Sequence, residues 1–279
     1  MMDKTGLLLR RFPMYGLLLV FSLATLLPLL WVFLTSLKER KELVRNGPLA
    51  WPQVWNWHNY EKAWTAGHFS VYFKNSVFIA AATVIIVLLT VLLASYALSY
   101  LQFFGKAFWS YLVMAGLLIP FDLIMIPMFF DLKLVGLLNT RWAVILPQIA
   151  LSIPFSVFLM RGFMKGMPDS LLEAARIDGA GEFRILFAVV TPIVKPAVIS
   201  LLIFTLIGSW NNFMLPTIMI SDDRLRTVPL GLNAFKTKFT TDITLTSAGA
   251  MMIALPVIAV YLVFQRRLID GLIIGAVKQ

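Results

Sequence analysis

Charged side chains gather in one stretch of this chain, residues 167–192, which lies between two long apolar runs and is called here the charged segment. Its ionisable residues are Asp169, Glu173, Arg176, Asp178, Glu182 and Arg184. On this pattern alone, one interpretation is a water-exposed helical hairpin that only joins two membrane spans.

Local signals predict two short helices with a turn between them in the charged segment. Pro168 suits a first helical position, where its missing N–H has no partner to lose. Asp169 places a negative charge in the first turn, beside the positive end of the helix dipole. Gly179 suits the residue after the helix, where the backbone is left-handed. A second helix opens near Glu182 and is limited by Pro192.

A tryptophan and two amides form a second candidate group, within the apolar residues 208–216. A tryptophan ring packs on the C–H faces of a sugar and amides bond its hydroxyls, so one interpretation is a path for sugar. The alternative is that the amides bridge helices, because polar groups in lipid need partners. Adjacent helical residues lie about 100° apart. We therefore expect Asn211 to face the path, Trp210 to lie at its edge and Asn212 to bridge to a neighbouring helix.

Asp122 is an acid inside an otherwise uncharged run, residues 107–130. A carboxylate within a membrane window suggests a functional site, here a place on the transport path. The alternative is structural, because Asp122 lies toward the end of the run that is close to Asp131 and Lys133, where water can reach it.

Several kinds of chemistry are excluded by what the sequence lacks. There is no cysteine, which rules out disulfides and thiolate metal sites. The two histidines, His58 and His68, cannot make a metal site alone. No GxxxxGK[ST] phosphate-binding loop is present, so the chain does not hydrolyse ATP by itself. No Ser-His, Cys-His or paired-carboxylate arrangement lies in an apolar run, which argues against an intramembrane enzyme.

Composition indicates a membrane protein. Of 279 residues, 59% are hydrophobic and 14% are charged, with a mean hydropathy of +0.84. A soluble domain carries about 25% charged residues, so this chain lacks the polar surface to stay in water. The net charge of +10 suits contact with anionic lipid. It does not indicate nucleic-acid binding, because the basic residues are scattered over loops.

The charge-poor runs predict an all-α protein with six transmembrane helices, since each crossing needs about 20 apolar residues. They are residues 12–37, 75–105, 107–130, 142–160, 197–221 and 243–265. Six crossings put both termini on one side of the membrane. The 24 basic residues divide evenly between the two sides, so charge does not choose the orientation.

The charged segment also resembles a known motif. EAARIDGAG at residues 173–181, with Pro192 and Pro196 downstream, is similar to the E-A-A-x-x-x-G loop of permease subunits of binding-protein-dependent ABC importers. In that family the loop is a coupling helix that sits in a cleft on a cytoplasmic ATPase. The resemblance therefore implies ATPase contact for Glu173, Ala174, Ala175, Asp178 and Gly179.

The resemblance extends over much of the chain. WNWHNYEKAW at residues 55–64 and LKLVGLLNT at residues 132–140 look like the sugar-importing, maltose-type branch. The ending at residues 265–279 is similar to the family's C-terminus, which implies that Gly275 and Lys278 reach the ATPase pair. The final Gln279 departs from the small residue that is usual there.

What the resemblance implies is a type I ABC importer permease (MetI-like) fold and uptake of a sugar or oligosaccharide. The implied partners are a second permease, two ATPases that hold ATP and magnesium, an extracytoplasmic sugar-binding protein and membrane lipid. This chain would bind no cofactor directly. The alternatives are a permease for another solute and a secondary transporter.

The implied organisation has three parts. Residues 1–74 form the N-terminal tail, first transmembrane helix and outer loop. Residues 75–265 form the transmembrane core, with the coupling loop at 165–195. Residues 266–279 form a cytoplasmic tail. The implied location is the cell membrane, with both termini in the cytoplasm.

Overall fold

The computed structural model describes the backbone of residues 4–237 and 240–276, and the side chains of residues 13–237 and 240–265. Within those residues the chain consists of helices joined by turns and loops, with one isolated bridge between Lys236 and Thr241. The first seven helices are α1 (Lys4–Ser36), α2 (Arg40–Asn46), α3 (His58–Ala66), α4 (Phe69–Tyr100), α5 (Lys106–Ala115), α6 (Phe121–Leu134) and α7 (Trp142–Met164). They are followed by α8 (Asp169–Ile177), α9 (Glu182–Arg184), α10 (Thr191–Ile193), α11 (Lys195–Trp210), α12 (Met214–Met219) and α13 (Ile243–Ala276).

Several helices of the described residues are long and apolar enough to cross a membrane. Four are long and apolar enough to cross alone, at Pro13–Ser36, Phe69–Tyr100, Trp142–Met164 and Ile243–Gln265. Two further pairs qualify only when each is counted as one bent span. They are Lys106–Leu118 with Phe121–Leu134, bent by 105°, and Glu182–Ile193 with Lys195–Trp210, bent by 82°. Six spans are therefore reached only if both bent pairs count.

The predicted third span, residues 107–130, is broken where α5 gives way to α6. A short 3₁₀ turn at Gly116–Leu118 ends α5, and Ile119 and Pro120 are extended, with ψ angles of 111° and 135°. A proline disfavours the helical region for the residue before it, so Ile119 cannot continue the helix. The chain turns sharply there and α6 begins at Phe121.

The predicted fifth span, residues 197–221, is likewise divided, which corrects the expectation of one continuous helix. α11 ends at Trp210 and α12 begins at Met214. Asn212 Oδ1 accepts a hydrogen bond from the Leu215 N–H at 3.1 Å, which satisfies a donor in the first turn of α12. Pro216 follows within that turn, where proline is tolerated.

Contacts divide the chain into two compact units. They do not coincide with the three parts expected from the sequence, and the three-part organisation stays a prediction. The first unit comprises Met1–Phe69 and Leu232–Ala254. Within it the buried Lys38 donates to the Pro48 carbonyl at 2.9 Å. The Asn59 amide donates to the carbonyls of Ser36 and Lys38, each at 2.8 Å, and so ties α3 to the end of α1.

The second unit comprises Ser70–Gly231 and Leu255–Gln279, and it contains both candidate sites. Its core is built from fully buried side chains of α4, α7 and α11, among them Val87, Ile145 and Leu201. In lipid, close packing and interhelical hydrogen bonds hold such helices together, because lipid tails are as apolar as the side chains.

Candidate functional site

The charged segment folds as the sequence predicts, with α8 followed by a turn and a second helical piece that starts at Glu182. Pro168 lies one position earlier than expected, as the extended residue before α8. Leu172 is 2% exposed and anchors the helix. Glu173 and Ala174 on the next positions are exposed, and Ala175 is half-buried. The outward face of α8 is therefore available for contact with another protein.

A left-handed glycine ends α8. Gly179 has φ +78°, as its position in the sequence predicts. The Ala180 N–H donates to the Ala175 carbonyl at 3.0 Å, and the Gly179 N–H donates to the Arg176 carbonyl at 3.0 Å. This pair of bonds is a Schellman motif, which satisfies the last carbonyls of the helix. Asp178, the residue before Gly179, is exposed.

An ion pair closes the turn of the charged segment onto itself and onto α4. Arg176 Nε donates to Glu182 Oε1 at 3.0 Å, and the Tyr96 hydroxyl on α4 donates to Glu182 Oε2. Sequence reasoning missed this network, because Tyr96 is distant in the chain.

The tryptophan and the two amides of residues 208–216 point to different surroundings. Trp210 is 6% exposed and its ring packs edge-on against Phe73, with centroids 5.4 Å apart. It also lines a small apolar pocket with Pro256 and Val257. Asn211 is exposed where α11 ends, and Asn212 is half-buried. The structure does not bring the three side chains to one cavity, because the helix stops between them.

A polar cavity lies between α4, α7 and α11, and Asn212 is at its edge. Its volume is 180 Å³. The lining residues are Thr83, Gln148, Leu151, Ser152, Phe204, Thr205, Gly208, Ser209 and Asn212. None of these is charged, so the cavity presents only hydroxyl and amide groups within an apolar surround.

Gln148 is the centre of the polar cavity. Its Oε1 accepts hydrogen bonds from the Thr83 hydroxyl at 3.3 Å and the Ser209 hydroxyl at 2.6 Å. Its Nε2 is buried and has no hydrogen-bond partner among the described residues. An unsatisfied buried donor costs about 1–3 kcal/mol. The amide N–H groups of Gln148 are thus available to an acceptor that enters the cavity.

Sequence reasoning missed Gln148, although one signal was present. Gln148 is an amide within the apolar run 142–160, and an amide in lipid demands a partner for the same reason as those in residues 208–216. What the sequence does not show is that Thr83 and Ser209 meet it. Asp122, by contrast, is exposed in the first turn of α6 and does not line the polar cavity.

For the two C-terminal candidates, Gly275 and Lys278, no side-chain contacts are described. Gly275 lies in the last turns of α13, where side chains are not described. Lys278 lies outside the described residues. Their contact with an ATPase stays a prediction from the sequence.

Comparison with known proteins identifies the family of this chain. Residues 86–270 match the family described as binding-protein-dependent transport system inner membrane component. The chain belongs to this family. It is therefore a membrane-spanning permease subunit of an ABC transporter, a transport component and not an enzyme.

Relatives cover this permease over nearly its whole length. A diacetylchitobiose uptake system permease protein of Streptomyces coelicolor is 35% identical over 267 residues, which is 95% of this chain and 86% of the relative. An arabinooligosaccharides transport system permease protein of Halalkalibacterium halodurans is 35% identical over 254 residues, 90% of each chain.

A solved structure shares the fold. It belongs to a bacterial ABC transporter involved in the import of the acidic polysaccharide alginate, and the superposition has a TM-score of 0.79. The match covers 95% of this chain and 98% of the other, at 22% sequence identity. At that identity the likeness concerns the fold alone.

Proposed function

We propose that this permease imports a sugar or oligosaccharide that an extracytoplasmic solute-binding protein delivers. The observation that carries the proposal is the polar cavity, whose lining offers hydroxyl and amide groups and no charge. Neutral donors and acceptors match sugar hydroxyls, whereas a cationic or anionic solute would need a counter-charge when it leaves water. The saccharides in the names of the two relatives support the same substrate class.

In this proposal, the Gln148 side chain recognises the substrate by hydrogen bonding. Its unpartnered Nε2 would donate to a sugar hydroxyl oxygen, while Oε1 stays held by Thr83 and Ser209. Ligand pockets usually measure about 300–1,000 Å³, and this one measures 180 Å³. It would therefore hold only part of an oligosaccharide, and a second permease would complete the binding site.

In this proposal, the charged segment couples ATP hydrolysis on the ATPase subunits to solute transport. Glu173 and Asp178 are exposed for contact with one of two ATPase subunits, which hold ATP and magnesium. With each bent pair as one span, the chain crosses the membrane six times, so both termini lie on the side of the charged segment. That side would be the cytoplasm, where the ATPases are. The Tyr96–Glu182–Arg176 network would carry movement of α8 to α4.

Uptake measurements test the substrate class. A strain that lacks its own copy of this permease is complemented with wild type, Gln148→Leu or Ser209→Ala, and uptake of labelled mono- and oligosaccharides is normalised to membrane abundance. We expect the ratio of uptake between sugars to change by about tenfold or more, because a site built to bond a hydroxyl discriminates through that bond.

A matched control lies on the same helix. Ser156 is 3% exposed on α7 but does not line the polar cavity, so Ser156→Ala should leave the uptake ratios unchanged. Unaltered ratios in both Gln148→Leu and Ser209→Ala would contradict the proposed path. Wild-type uptake of a charged non-sugar solute in place of sugars would favour the alternative, a permease for another solute.

A further inference from the structure

An apolar groove runs between α5 and the last turns of α7, near the start of the charged segment. Its volume is 310 Å³. The lining residues are Val113, Met114, Val157, Phe158, Leu159, Arg161, Gly162, Phe163 and Lys165. Met114 is 41% exposed and Phe158 54% exposed, so the groove is open on its outer side.

Two cations stand at one end of this groove. Arg161 in the last turn of α7 and Lys165 directly after the helix lie four residues apart, and both line the groove. The groove lining contains no carboxylate that could pair with them. Across the part of the chain that the structure describes, neither side chain takes part in a salt bridge. The groove therefore combines a long apolar wall with a positively charged end.

Arg161 is only partly satisfied by the protein. Its Nη2 donates to the Leu98 carbonyl at 3.4 Å, which is longer than an ordinary hydrogen bond. Its Nε is buried and finds no acceptor among the described residues. A buried guanidinium donor without an acceptor is costly, and a guanidinium fork fits the oxygens of a phosphate.

We propose that the groove binds an anionic phospholipid, with the phosphate of the headgroup at Arg161 and Lys165. One acyl chain would lie along Val113, Met114 and Phe158. Basic pockets between membrane helices bind lipid headgroups through the same combination of charge and apolar surface. A protein segment fits less well, since it would have to bring a carboxylate into an apolar groove and desolvate it.

Native mass spectrometry of the purified transporter complex tests this assignment. Phosphatidylglycerol and phosphatidylcholine with identical acyl chains are the probes, and Arg161→Gln and Lys165→Gln are the variants. We expect each variant to retain phosphatidylglycerol about fivefold less than wild type, with phosphatidylcholine unchanged. The Lys165 side chain is exposed, so Lys165→Gln keeps the test decisive if Arg161→Gln fails to fold.

A control and two further arms exclude other occupants. Lys133, exposed in the last turn of α6, is outside the groove, and Lys133→Gln should retain both lipids as wild type does. Equal retention of phosphatidylglycerol by wild type and Lys165→Gln would overturn the proposal. Displacement of that lipid by inorganic phosphate alone would reassign the cations to a soluble anion. Loss of the second permease in Arg161→Gln, with lipid retention unchanged, would make the groove a subunit interface.

Discussion

The charged segment and the polar cavity bring their residues together in opposite ways. The charged segment is continuous in sequence, and its turn is held by the local Arg176–Glu182 pair together with one long-range contact to Tyr96. The polar cavity is uncharged, and it joins Thr83, Gln148 and Ser209 from three separate helices. The helix and turn of the first therefore depend mainly on residues close together in the chain, whereas the second exists only once α4, α7 and α11 have packed.

Reversing the charge of Glu173 should give the largest effect on the charged segment. Glu173 is exposed on α8, and removing one member of an ion pair that becomes buried against a partner costs about 3–5 kcal/mol. We expect Glu173→Lys to abolish uptake and to reduce co-purification of the ATPase, while membrane abundance stays normal. Asp131→Lys, a reversal at another exposed acid, serves as the control. Normal uptake and normal ATPase recovery in Glu173→Lys would disprove the role of this residue.

Two neighbouring glycines allow a matched test of the turn. Gly179 has φ +78°, whereas Gly181 has φ −72° and ψ 159°. Space is open around both positions, so a new side chain meets no clash at either, and the left-handed backbone is special to Gly179. A left-handed residue other than glycine costs about 1–2 kcal/mol, and a β-branched one is worse.

We expect Gly179→Val to lower solute-stimulated ATPase activity of the reconstituted complex by about tenfold. Gly181→Val should keep clearly more activity than Gly179→Val, because valine can adopt the extended backbone of Gly181, although it caps a helix poorly. Docking of the solute-binding protein should survive in both variants. Equal activity in the two variants would show that the left-handed turn is not needed for coupling.

The contrast between local bonds in the charged segment and contacts between distant helices in the polar cavity explains which features could be predicted from the sequence. The left-handed Gly179 follows from local rules, because a helix that ends there needs that conformation whatever surrounds it. The break between α11 and α12 was missed, since Asn211 and Asn212 were placed on one helix by hydropathy alone. Gln148 was missed because its partners Thr83 and Ser209 are distant in sequence, and one chain without an alignment gives no contact information.

Substitutions of Asn211 and Asn212 should have the smallest effect on transport. For these two residues the structure favours the opposite assignment to the one expected from the sequence. Asn212 lines the polar cavity and Asn211 does not, so the structure makes Asn212 the better candidate for substrate contact. We expect Asn212→Ala to shift the uptake ratio between sugars severalfold, and Asn211→Ala to leave it unchanged. Uptake across several sugars, normalised for membrane abundance, is the measurement.

Abundance needs its own control in this experiment. Asn212→Ala also removes the acceptor for the Leu215 N–H, a bond worth about 1 kcal/mol. Asn212→Ser keeps an oxygen near that donor but shortens the reach into the cavity, so it should restore abundance without restoring selectivity. A selectivity change in Asn211→Ala alone would return the path to the position that the sequence suggested.

The uncharged lining of the polar cavity bears on the energy source for transport. Moving one elementary charge through the membrane potential involves about 2.3 kcal/mol per 100 mV. The described residues around the cavity carry no charge, and a neutral sugar adds none. Its passage would therefore neither draw on the membrane voltage nor oppose it. Accumulation of the solute at either polarity would then depend on work delivered mechanically through the charged segment.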